Sequence, residues 1–142
     1  MRRLLALLAL ALLGCASAPG YGNYVANYPS KAAASVAADA VALVLKQHPE
    51  QGLRFRFAHE VHDAFGEQLA DALRQRGHSV SVSSSRQEPG EHTLKYVLDP
   101  IKGTNLVRLM LTVNNIELAR AYRKSADGAA VPVGPWARKE GS

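Results

Sequence analysis

The chain of 142 residues contains one cysteine, Cys15, so no disulfide closes within it and its stability rests on apolar packing. It has no apolar run near the roughly 20 residues that cross a bilayer as a helix; residues 4–14 make about half that length. Aromatic side chains are sparse, at 6%. Lysine and arginine outnumber aspartate and glutamate by 17 to 12, but they are spread along the chain. A nucleic-acid groove gathers its basic residues and interleaves them with stacking rings, so direct nucleic-acid contact is not expected. The excess reads as a mildly basic, solvated surface. No internal repeat recurs at a fixed period.

Catalytic signatures are missing as well. His59-Glu60-Val61-His62 has the composition of a zinc-protease motif without its spacing: the histidines stand three apart, and two imidazoles on a helix face one metal at four. His48, His78 and His92 supply no third ligand by spacing. Ser83-Ser84-Ser85 lacks the flanking glycines of a nucleophile elbow. Gly20, Gly22 and Gly103 form no phosphate-binding loop, and no two carboxylates stand as a tuned acid–base pair. No enzyme activity, metal, cofactor or small-molecule substrate is therefore expected. A Ser/His/Asp triad is defined in space rather than by spacing, which keeps a periplasmic hydrolase among the alternatives.

What is present begins at the N-terminus. Arg2 and Arg3, an apolar run and the small residue Gly14 before Cys15 make a secretory signal peptide over residues 1–14. Leu12-Leu13-Gly14-Cys15 resembles the lipobox of bacterial lipoproteins. That resemblance implies cleavage between Gly14 and Cys15 and acylation of the Cys15 thiol; the alternative is a free thiol. Two or three acyl chains make attachment effectively permanent, whereas one chain alone binds reversibly. Ala16 follows, not the aspartate that resembles an inner-membrane retention signal, so the expected location is the outer membrane with the domain facing the periplasm.

Residues 15–29 mix small and polar residues without a period and read as a flexible tether, which at full extension reaches at most about 45–50 Å. Tyr21, Tyr24 and Tyr28 lie in it, suited to a membrane interface or a partner's groove, or simply solvated. Ser30 then reads as the N-cap of an alanine-rich helix with Val36, Ala40, Val41, Val44 and Leu45 on one face, ending near His48-Pro49. Residues 53–57 alternate as a strand. Asp63 caps a second helix with the stripe Phe65, Leu69, Ala72 and Leu73, and Gly77 ends it. Val80 and Val82 mark a further strand, so strand, helix and strand suggest a βαβ crossover. Strands are expected at residues 93–98, 106–113 and 116–123, the last two joined by a hairpin turn at Asn114-Asn115. Residues 125–142 read as a flexible tail, in which Trp136 either docks onto a partner or packs back on its own domain.

The sum is one small α+β domain over residues 30–124: a mainly antiparallel sheet of about five strands with two helices on one face. The segments Phe65-Gly66-Glu67-Gln68-Leu69-Ala70-Asp71-Ala72-Leu73-Arg74-Gln75-Arg76-Gly77, Tyr96-Val97-Leu98-Asp99, Val107-Arg108-Leu109 and Ile116-Glu117-Leu118-Ala119-Arg120-Ala121-Tyr122 resemble, in order, the TrbH-type lipoproteins of conjugative plasmid transfer. The resemblance implies a non-catalytic part in mating-pair formation. The membrane would hold the protein through its lipid, and its partners would be the outer-membrane core proteins of the type IV secretion channel. Trp136, or a strand added to a sheet edge, would dock them. An envelope-assembly lipoprotein that binds a β-barrel, lipopolysaccharide or peptidoglycan would carry a similar domain.

Overall fold

The computed structural model describes residues 20–82 and 88–140. The expected signal peptide, Gly14, Cys15 and Ser83-Ser84-Ser85 lie outside the described residues. In chain order the elements are β1 (Gly22–Asn23), α1 (Ser30–Gln47), β2 (Arg54–Phe57), α2 (Ala64–Gln75), β3 (Ser79–Ser81), β4 (His92–Pro100), β5 (Val107–Val113), β6 (Ile116–Lys124) and β7 (Ala130–Glu140).

Local chemistry explains most of these boundaries. Asp63 stands in extended conformation and its Oδ1 accepts the Gly66 amide at 3.0 Å, which caps α2 as expected. Gly77 takes φ 88° after α2, a conformation that costs other residues a clash at Cβ. Asn114 takes φ 57° in the β5–β6 hairpin; it exchanges hydrogen bonds with the Thr93 backbone and so ties the hairpin to the start of β4. The start of α1 differs from expectation. Pro29, extended at ψ 141°, is the cap residue and Ser30 is the first helical residue. Ser30 instead accepts a hydrogen bond from Gln68 of α2, so it joins the two helices.

The sheet order is β3-β2-β4-β5-β6-β7, with β1 pairing beside β4 where β2 has ended. β2 pairs in parallel with both β3 and β4, and β1 pairs in parallel with β4. The parallel β2–α2–β3 unit matches the crossover read from the sequence. From β4 onward the strands run as an antiparallel meander. The sheet is thus mixed and larger than the mainly antiparallel sheet of about five strands that was expected. Both additions lie outside the expected domain bounds. β1 falls in the expected tether, and β7 occupies most of the expected loose tail. Neither announces itself by alternation: β1 is two residues long, and β7 is exposed along most of its length. Each forms because a neighbouring strand offers unpaired backbone, and backbone groups demand partners whatever side chains accompany them.

The helices pack on each other and on one face of the sheet. The core holds Phe55, Phe57, Phe65, Leu69, Leu73, Leu94, Tyr96, Leu98, Leu109, Leu111, Leu118 and Tyr122. Each large apolar side chain contributes roughly 1.5–3 kcal/mol on burial. Small side chains of α1, among them Ala33, Ala37 and Ala40, are buried, and α1 packs against α2. Gly66 lets α2 approach β4 closely. A Cβ there would lie 2.2 Å from the Tyr96 hydroxyl and 2.4 Å from Val61 Cγ1, and the Tyr96 ring is fully buried and has nowhere to move. Gly66→Ala gains up to about 1 kcal/mol of helix propensity but overpacks this contact by more. A net loss of about 2 kcal/mol is expected in urea unfolding, and an unchanged midpoint would refute the close-packing role.

Candidate functional site

Two buried tyrosines anchor the helices to the sheet through two carboxylates, one at the cap of α2 and one within α1. Tyr96 on β4 donates to Asp63 Oδ2 at 2.5 Å, so the α2 cap residue also receives a core hydroxyl. Tyr122 on β6 donates to Asp39 Oδ2 of α1 at 2.6 Å. Burial first, then the bonded carboxylate, pushes both phenols well above their ordinary value of 10, so both stay protonated donors. Arg120 joins the second junction. Its Nη1 donates to both Asp39 oxygens at 3.0 Å and its Nε to the Gly134 carbonyl at 2.9 Å. The guanidinium also lies 5.5 Å from the centroid of the Trp136 ring. Trp136 is half-buried against the core, which matches the reading in which it packs back on its own domain.

The first described residues form a second feature. The Tyr24 amide donates to the Leu98 carbonyl at 2.7 Å, Val25 packs against the core, and Tyr28 is half-buried, which raises its pKa. Residues 25–29 line a cleft of about 220 Å³ with Asn105, Val107, Tyr122 and Lys124. Residues 20–29 are therefore built into the domain, a correction to the flexible tether expected there. Tyr21 and Tyr24 remain exposed, at 46% and 54%.

His59 fills the gap in the ladder between β1 and β2. Its Nε2 accepts the Tyr96 amide at 3.3 Å and its Nδ1 donates to the Glu60 carbonyl at 2.9 Å, an assignment that requires the neutral ring. The ring stacks on Tyr21 at 5.3 Å. Both His59 nitrogens are thus engaged within the fold, and His62 Nε2 faces Glu60 Oε2 at 2.8 Å. Among the described residues no three His, Cys, Asp or Glu side chains converge on a metal position.

Burial holds the pKa of His59 below its ordinary 6.5; Lys95 acts with it, and the Glu60 carbonyl and Asp63 act against it. His48 is lowered by burial and by His92, whose ring lies 4.4 Å away, with Glu50 opposing. The unfolded chain therefore takes up protons first as pH falls, so the stabilisation is complete above the ordinary value and is lost below it. The urea midpoint is expected to drop between about pH 7 and about pH 5. The His48→Gln/His59→Gln variant should flatten that slope, and an unaltered slope would exclude these two rings as its cause.

The sheet face opposite the helices carries the third feature. In register across the strands lie Val97, Met110, Ala119 and Ala137, with Ala121 and Val133 beside them. Val97, Met110, Ala119 and Ala121 are half-buried, and Val133 is 41% exposed. Charged side chains border this band: Lys95, Glu117 and Lys139 in the row on one side, Asp99 paired with Arg108 on the other. No described helix covers it. At the sheet edge β7 carries Pro132 and Pro135, which donate no backbone hydrogen bond, and ends in Arg138, Lys139 and Glu140. Those are the devices by which edge strands resist further pairing, so the face is better suited to a partner than this edge. The face is not legible along the chain, because it takes the register of four strands at once.

Among the described residues no helix is long and apolar enough to cross a membrane. Residues 18–140 match the family model described as conjugal transfer protein TrbH. No curated protein and no solved structure matches the chain.

Proposed function

The chain belongs to the TrbH family of conjugal transfer proteins, and from that premise we propose that it is a lipid-anchored structural component of the mating-pair formation apparatus. In this reading Cys15 carries the acyl chains, the outer membrane holds them in its inner leaflet, and the domain faces the periplasm. The apolar band through Val97, Met110, Ala119 and Ala137 meets outer-membrane core proteins of the type IV secretion channel. The role is to anchor and stabilise that ring, without turnover of a substrate.

The observation that carries this reading is the family match over residues 18–140, which takes in every described residue. The site's chemistry supports it. His59, which accepts the Tyr96 amide, and Asp39, which accepts from Arg120, are engaged in holding elements of the fold together. A band of half-buried apolar side chains rimmed by charges of both signs has the makeup of a protein contact surface.

The test is the size of the particle the protein occupies in its own cells. Outer membranes solubilised in mild detergent and resolved by size exclusion should place it in a very large complex, with ring proteins identified beside it by mass spectrometry. Elution near monomer size would overturn the scaffold role. Met110→Asp should release it from the complex while leaving its circular dichroism unchanged.

A further inference from the structure

We propose that the domain does not hang at a distance from the membrane but lies directly on the lipid surface, with Tyr21 and Tyr24 in the headgroup layer. The inference rests on lipid attachment at Cys15 and deepens it. The geometry comes from how early the chain becomes part of the fold. Gly20 is the fifth residue after Cys15, so the intervening backbone spans at most about 18 Å even when fully extended. A freely moving segment to residue 29 would allow more than twice that reach. It is not free: β1 is paired with Val97 and Leu98, and Val25 and Tyr28 are packed against the core. A domain of this size is itself about 30–35 Å across. The leash is shorter than the body it holds, so the face bearing Gly20 stays beside the bilayer.

That face has the side chains a headgroup layer accepts. Tyr21 and Tyr24 are two of the four large hydrophobic residues exposed on the described chain. Phenol rings settle at the boundary between acyl chains and water, with the hydroxyl kept wet. Lys95 Nζ lies 5.5 Å from the Tyr21 ring centroid, where its charge can reach anionic headgroups while its stem stays against the ring. Lys124, on the rim of the adjoining cleft, adds a second cation. Glu60, the acidic neighbour of His59, is engaged by His62. The other two exposed hydrophobics do not share this location: Val82 directly follows β3, the edge strand beyond β2. Val133 lies on β7, three strands away from β4 across the sheet, about 15 Å at ordinary strand spacing.

The test uses the full chain, exported and processed in a lipoprotein-making cell and reconstituted into vesicles of phosphatidylethanolamine with a minor share of phosphatidylglycerol, with or without brominated acyl chains. In a Trp136→Phe background, Tyr24→Trp reports on the proposed face and Val133→Trp on the far edge. Brominated lipid should quench position 24 about threefold or more beyond position 133. Equal quenching at both positions, in protein that floats with the vesicles and carries an acylated Cys15 by mass, would overturn the seating alone. An unmodified Cys15 in protein that fails to float would overturn the anchor, and the seating with it. Position 24 unquenched by lipid, yet shielded from iodide in native outer membranes, would mean that the tyrosines meet a protein, which also overturns the proposal.

Discussion

On the proposed anchor, Cys15→Ala is expected to leave the protein out of the outer-membrane fraction, with membrane-bound protein falling by at least about 100-fold in flotation. Each buried methylene of an acyl chain contributes roughly 0.8 kcal/mol, yet a single myristoyl chain still binds only marginally, with a constant near 10⁴ M⁻¹. Two or three chains lie far above that threshold. Without them the remaining attractions are weak. Lys95 and Lys124 would each contribute about 1 kcal/mol at an anionic surface, and Tyr21 and Tyr24 make a small interfacial area. Residues 4–14, left uncut, would not substitute, because they make about half a membrane-spanning length. Fractionation with a blot for the protein decides the matter. A variant that stays with the outer membrane would show that something other than the cysteine holds it there, and both the anchor and the seating of the tyrosines would fall.

Asp39→Ala should cost about 3 kcal/mol of folding stability. Breaking a buried ion pair by removing one partner costs about 3–5 kcal/mol, because the other charge is left without compensation. The side chains of Asp39 and Arg120 are 25% and 21% exposed, so solvent relieves part of the loss and the lower end of that range applies. Tyr122 suffers too. Its hydroxyl, held as a donor by burial and by Asp39, would be left without its acceptor inside the core. Tyr122→Phe, which removes donor and need together, should cost only about 1 kcal/mol. Urea unfolding of Asp39→Ala, Arg120→Ala and the double variant gives the coupling, and the double variant should lose clearly less than the sum of the two single losses. Strict additivity would show that the contact between α1 and β6 carries no energy of its own. Because Arg120 also holds the Gly134 carbonyl and faces Trp136, β7 should lose hydrogen-exchange protection before the rest of the sheet.

The same residues show where reading along the chain succeeds. Asp63, Gly77 and Asn114 each carry a local requirement, a cap or a positive φ, that residue type alone expresses. The stripes of α2 and of β5 are visible because one face of each element is buried and periodicity records it. Arg120 and Tyr122 lie in the Ile116–Tyr122 segment that carries the family resemblance, but their partner Asp39 lies about 80 positions earlier. No spacing rule links such distant residues. The candidate surface fared likewise: Val97, Met110, Ala119 and Ala137 look like ordinary strand residues until strand register sets them in a row.

The sequence by itself determined that this is an α+β chain resembling the TrbH family, and where its helices and the longer strands lie. Local propensity, capping and the period of burial act within a few residues, so the order of residues is enough to express them. Tertiary structure decided that Gly20–Pro29 and Ala130–Glu140 belong to the domain, that the sheet is mixed, and that Trp136 is turned inward. Those outcomes depend on backbone edges and side chains supplied by distant parts of the chain. A two-residue strand or an exposed, proline-bearing one pairs only because its neighbour's unsatisfied amides and carbonyls are already in place.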